Sequence, residues 1–146
     1  GVGRFREQCA PGHVTASALV LHPHKAAVAL VMHPVFGWIQ PGGHVDEKDE
    51  SLIDCAHREV LEECGLVAGL IGEWPLLDIT QYAVPANPKK GELAHLHFDF
   101  RFLMKATGHH LSDGARWVSC SDALLVDDPS VRLGMQRLCA KLGWHS

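Results

Sequence analysis

No stretch of this chain approaches the ~20 consecutive apolar residues of a membrane-spanning helix, so no helical span and no membrane partner is expected. Cys-x-x-Cys pairs are absent as well. The five cysteines (Cys9, Cys55, Cys64, Cys120, Cys139) are odd in number, which fits reduced thiols in the cytoplasm better than a disulfide framework. There is no basic excess either: 13 Lys and Arg stand against 17 Asp and Glu, a net charge of -4 with His neutral. Such a balance offers no broad surface to nucleic acid. If phosphate is bound, a metal rather than a basic patch has to hold it. Internal repeats, linkers and low-complexity segments are missing too, and 146 residues with 47% apolar content suit a single domain over 1–146. No signal-peptide pattern opens the chain. The start, Gly1-Val2-Gly3 without Met, reads as a trimmed or tagged end.

What is present begins with two short apolar runs, 14–21 and 26–32, separated by His22-Pro23-His24-Lys25. They read as strands joined by a turn and buried on both faces. Residues 37–43 read as a loop or brief strand running into a glycine turn. A helix is expected from Ser51, capped by it with Asp54 in the capping-box position. Its inward stripe is Leu52, Ala56 and Val60, and Gly65 sits where a C′ glycine ends a helix. Strands are expected at 76–84 and 94–104, joined by the turn 85–91, and at 115–118. Helices are expected at 121–125 and 130–142, with Val131, Met135, Leu138 and Leu142 at helical spacing in the core. Mixed strands and helices imply an α/β arrangement with a sheet between helices.

Three carboxylates, Glu59, Glu62 and Glu63, share one face of the first helix, because positions i, i+3 and i+4 are neighbours there. Like charges so placed repel. A bound cation would turn that repulsion into coordination, and oxygen-only ligands select a hard ion, Mg²⁺ or Mn²⁺. A solvated helix face is the plain alternative for two adjacent glutamates.

These carboxylates do not stand alone. Gly43, Glu50, Arg58, Glu59, Val60, Glu62, Glu63, Gly65 and Leu66 together resemble the box of the Nudix hydrolase (MutT-like) family. Its pattern is Gly, five residues, Glu, seven residues, Arg-Glu, an aliphatic residue, any residue, Glu-Glu, any residue, Gly, an aliphatic residue. One departure exists: six residues separate Gly43 from Glu50, the extra one falling in the polar run 46–49, where a loop tolerates insertion. The resemblance implies an α/β/α sandwich with a central mixed sheet. It implies that Glu59, Glu62 and Glu63, with the Gly43 carbonyl, bind the metal. Glu50, Arg58 and Gly65 are then structural, Arg58 pairing with Glu50 to tie the loop to the helix.

The strand His95-Leu96-His97-Phe98-Asp99-Phe100-Arg101-Phe102 alternates strictly. His95, His97, Asp99 and Arg101 share one face, and Leu96, Phe98, Phe100 and Phe102 are expected to face the core. The polar row is either an exposed strand face or a substrate-facing row. In the second case Arg101 contacts phosphate, and His95 or His97 donates to phosphate or stacks on a base. A Zn²⁺ or Ni²⁺ site of His95, His97 and Asp99 is a rival, but three ligands in a row on one strand cannot surround a metal. His44, beside Gly43, is either a plain loop residue or a substrate contact.

Together these residues suit metal-dependent hydrolysis of a phosphoanhydride in a nucleoside diphosphate derivative or related small nucleotide. The general base is Glu59 of the box, or Glu92 or Asp113 on loops. A non-catalytic nucleotide-binding or regulatory domain is the opposing class, set against the retention of every box carboxylate. An isoprenoid diphosphate isomerase would need a cysteine acid/base, and none of the five has a context that suggests it.

Overall fold

In a computed structural model the protein is described over residues 13–144; Cys9 and the Gly1-Val2-Gly3 start lie outside these described residues. The chain runs β1 (His13–Leu21), β2 (Ala27–His33), β3 (Gly37–Ile39), β4 (Gly42–His44), α1 (Leu52–Cys64), β5 (Ala68–Leu70), β6 (Leu76–Val84), a 3-10 turn (Pro88–Lys90), β7 (His95–Ala106), β8 (Ala115–Ser119), α2 (Cys120–Ala123) and α3 (Pro129–Leu142). One mixed sheet carries all eight described strands, with the path β3-β2-β1-β7-β5; β4 pairs with β1, β6 with β7 and β8 with β2. β1 runs parallel to β7 over the whole of β1, Thr15 opposite Asp99 and Ser17 opposite Arg101, and the other pairings are antiparallel.

Alternation along β1 divides the interior into two cores. Val14, Ala16, Ala18 and Val20 pack with Phe102 and Met104 against Cys55, Ala56, Val60 and Cys64 of α1. Leu19 and Leu21 pack with Leu30 and Leu103 against Val131, Met135 and Leu138 of α3. Helices thus cover both faces of the sheet, the α/β/α sandwich expected from the sequence.

α1 is set by local chemistry. Ser51 is extended (φ -152°, ψ 168°) and its hydroxyl accepts from the Asp54 N–H, while Gly65 takes the left-handed conformation (φ 69°) and its N–H donates to Leu61 O. That conformation favours glycine because a Cβ is disfavoured there. Two short elements differ from expectation: residues 37–43 split into β3 and β4, and β5 forms at Ala68–Leu70.

The larger correction concerns β7. Its alternation is as expected, but its polar row is the better buried. Arg101 is 0% exposed, Asp99 6% and His97 7%, whereas Leu96 is 39% exposed. Of the two readings of this row, the exposed strand face does not hold for His97, Asp99 and Arg101. The cause is α3, which roofs this side, together with partners for each charge supplied by β1 and β6.

Candidate active site

β4 is the floor of the site. It lies against β1, with Gly42 opposite Ser17 and Gly43 opposite Ala16. A Cβ on Gly42 would stand 2.5 Å from Ser17 Cβ and 2.8 Å from Ala16 O, so only glycine permits this approach. The Gly42 N–H donates to Glu63 Oε1 (3.0 Å). A Cβ on Gly43 would meet Glu59 Oε1 at 2.5 Å. The glycine turn is thus a seat for two carboxylates of α1.

The Glu63 carboxyl is pushed up to about 7. Burial is the main cause, the Gly42 N–H opposes it, and the neighbouring Glu59 and Glu62 push in the same direction as burial. Glu62 is turned elsewhere: its side chain is largely exposed and its Oε2 lies 3.3 Å from Arg58 Nη1. The fold therefore brings Glu59 and Glu63 together on the turn and leaves Glu62 turned toward Arg58. As they stand, the described residues contain no group of three or more His, Cys, Asp or Glu arranged to hold an ion.

Arg58 corrects a second expectation. It pairs with Asp49, not Glu50: Nε reaches Asp49 Oδ1 and Nη2 reaches Asp49 Oδ2, both at 2.9 Å. Asp49 is buried and also accepts from the Asp46 N–H (2.8 Å), while Glu50 is exposed. The Arg58 hydrogen bonds hold the Asp49 carboxyl below its usual range, against the opposing effect of burial. The remaining Arg58 donors go to Glu59 Oε1 (2.9 Å) and the His44 carbonyl (3.1 Å). The extra box residue explains the exchange. Five residues separate Gly43 from Asp49 and seven separate Glu50 from Arg58, so each acid keeps half of the family spacing, and the loop presents Asp49.

Cys55 was not singled out by the sequence. Its thiol lies 3.7 Å from Gly43 O and 3.6 Å from His44 O. Burial pushes it up to about 12, so it is a neutral, weak donor beneath the turn, unsuited to acid/base work.

On the opposite face of the sheet, the β7 row divides in two. Arg101 does not reach out for phosphate. Its Nε and Nη2 bind Asp78 Oδ1 and Oδ2 (2.9 and 2.6 Å), and Nη1 donates to Ser130 O (2.8 Å). This pair joins β6, β7 and α3 and is architectural. Asp99 accepts from the Thr15 and Ser17 hydroxyls (2.8 and 2.6 Å); burial raises its pKa, and those hydroxyls pull the other way.

The histidines do gather. His95 Nε2 lies 3.0 Å from His97 Nε2, Tyr82 Oη lies 2.9 Å from His97 Nδ1, and the His44 and His97 rings meet edge-on at 5.0 Å. His95 Nδ1 faces Leu93 O at 2.8 Å. A carbonyl only accepts, so that nitrogen carries hydrogen. With both rings neutral, His97 Nε2 then donates to His95 and Tyr82 donates to His97. Glu92 sits on the β6–β7 turn, bridged to Asn87. Asp113 follows Ser112, whose hydroxyl donates to Glu63 O (3.1 Å) at the end of α1.

Residues 11–138 match the family model of the NUDIX domain. The chain is 39% identical over 93 residues to a Lactococcus lactis protein named "Probable DHNTP pyrophosphohydrolase", covering 63% of this chain and 53% of that one. It is 33% identical over 98 residues to "ADPR responsive transcriptional repressor NtrR" of Acinetobacter baylyi, covering 62% and 35%. The alignments thus span about half and about a third of those relatives' lengths. Among solved structures, the C. elegans Ap4A hydrolase superposes with a TM-score of 0.63 at 20% identity, over 89% of this chain and 98% of that one.

Proposed function

The chain belongs to the NUDIX domain family, and from that premise we propose that it hydrolyses a phosphoanhydride bond in a nucleotide-type substrate with the help of Mg²⁺ or Mn²⁺. The observation that carries this is the seating of Glu59 and Glu63 on the Gly42–Gly43 turn. The donor set fits a hard cation: oxygen atoms only, of like charge, with a glycine where any side chain would displace Glu59. Glu59, Glu62 and Glu63 with the Gly43 carbonyl would hold it, Glu62 by leaving Arg58. When bound, such an ion neutralises phosphate charge and acidifies water.

The chain's own residues supply position. Arg58 clamps the box loop through Asp49 and the His44 carbonyl and is a positioning residue, with its donors already used on protein oxygens. Of the three candidate bases, Glu59, on α1 with its carboxylate against the glycine turn, is supported over the loop residues Glu92 and Asp113. His44, His95 and His97 gather beside the turn and are proposed to contact the substrate. The name of the L. lactis relative, a pyrophosphohydrolase, supports cleavage of a phosphoanhydride with release of pyrophosphate. The repressor relative supports a second reading, nucleotide binding without turnover. Cys55, buried and neutral, lends no support to an isomerase.

The test is a screen of nucleoside triphosphates and diphosphate derivatives with Mg²⁺ or Mn²⁺, reading released phosphate, pyrophosphate or monophosphate. Hydrolysis abolished by chelator, and reduced at least about 10²-fold by Glu63→Gln, is expected. Tight binding without turnover selects the second reading. Full activity of Glu63→Gln would overturn the assigned site.

A further inference from the structure

Gln40 stands between β3 and the Pro41-Gly42-Gly43 turn. Its side-chain oxygen is buried and has no hydrogen-bond partner, the one such side-chain atom among the described residues. A buried acceptor left unpaired loses its water without recompense, which folded proteins rarely tolerate. The location suggests what completes it. Two residues on, the Gly42 N–H holds Glu63, and the Pro41 carbonyl accepts from Ala18 N–H (3.1 Å), pinning this segment to β1. Ile39 stands opposite Val31, whose side chain lies in the α1-side core. β3 ends at Ile39, which touches both cores, and its alternation continued one residue assigns Gln40 to the side facing away from α1. That is the side of Ser17, Asp99 and His97, where the polar groups beside the box lie.

We propose that Gln40 is a specificity-determining residue: its Oε1 accepts a hydrogen bond from an N–H or O–H donor on the non-phosphate half of the substrate. This deepens the hydrolase reading and rests on it. The ligand class is a nucleotide whose base carries an amine, or whose sugar hydroxyl takes the same place. A site built to receive a donor discriminates strongly against the analogue lacking it, because the protein acceptor is then stranded.

The experiment compares wild type with Gln40→Met, similar in length but without a polar atom, and Gln40→Glu, which keeps an acceptor oxygen. Substrate pairs differ by one donor: GTP with ITP, ATP with purine riboside triphosphate, and each with its 2′-deoxy form. Wild type should favour the donor-bearing member of one pair, and which pair it is assigns the donor to base or sugar. Gln40→Met should remove that preference, raising KM for the favoured member about tenfold with a smaller effect on its partner. Gln40→Glu should retain the preference. Without ligand, Gln40→Met should melt about 2–4 °C higher, since the stranded acceptor is gone. Equal effects on both members of every pair would overturn the proposal. So would a lowered melting point, which would mean that a buried water already satisfies Oε1. If wild type hydrolyses none of these compounds, the hydrolase reading falls separately, and the same pairs are compared by calorimetric binding. Absence of any donor preference there also overturns the role of Gln40.

Discussion

Replacing Asp49 by Asn tests whether the Arg58 clamp holds the box loop. The substitution keeps shape but puts an amide where the guanidinium needs an acceptor, and removes the charge. Two hydrogen bonds of 2.9 Å are at stake, and the side chains are 4% (Asp49) and 26% (Arg58) exposed. Breaking a fully buried pair from one side costs about 3–5 kcal/mol. Solvent at Arg58 screens part of that, so about 2–3 kcal/mol is expected. At roughly 2–4 °C per kcal/mol for a domain of this size, the thermal midpoint should fall by about 5–10 °C. Glu50→Gln, at an exposed site, should stay within about 0.5 kcal/mol. Thermal melts followed by circular dichroism, with urea titrations for free energies, measure both. Turnover should fall in Asp49→Asn as the loop carrying Gly43 loosens, and hold in Glu50→Gln. A Glu50→Gln loss as large as that of Asp49→Asn would refute the reasoning and return the pairing to the family spacing.

Gly134→Ala would put a Cβ 2.5 Å from Arg101 Cζ. Arg101 is fully buried and fixed on Asp78 and Ser130, so the urea midpoint should fall by the equivalent of about 1–3 kcal/mol; an unchanged midpoint would show that α3 shifts freely. Burial opposes ionisation of Asp78, but Arg101 and Arg137 outweigh it and hold its pKa below the ordinary value. A depressed carboxyl contributes stability that is present above the unfolded value, about 3.9, and is lost as pH falls through the lower folded value. Asp78→Asn should therefore be less stable than wild type at pH 7, with the gap closing below about pH 4; a gap independent of pH would count against this account.

α1 was legible because its signals are local. Ser51, the apolar spacing through Val60, and Gly65 each act within a few residues, and the structure uses all of them. Layer order followed from the same kind of reading. What the sequence hid was non-local. Alternation in β7 shows which side chains share a face, but not which face a later element covers. α3, about 30 residues on, decides that. The partner of Arg101 is Asp78, set by the β6–β7 register, in which the two residues stand opposite each other. No spacing rule reaches that far. The Asp49–Glu50 exchange is hidden differently. One inserted residue leaves two acids equally compatible with the pattern, and only the loop's path chooses between them.

Seen together, the arginines say where phosphate charge has to be met. Arg58 is spent on Asp49 and the box, Arg101 and Arg137 on Asp78, Arg132 on the carbonyls of Val126 and Asp127, and Arg116 lies over Trp38 at 5.2 Å. Each described arginine thus has a protein partner, and the chain as a whole carries net negative charge. Guanidinium forks are the usual protein answer to a phosphate. Here the groups facing the glycine turn are carboxylates instead. A polyanionic substrate brought to Glu59 and Glu63 would meet like charge and be repelled, unless a cation stands between them. The same arrangement that would make the site hostile to a bare phosphate makes it suited to a metal–phosphate pair, which is why chelation should stop catalysis and weaken nucleotide binding together.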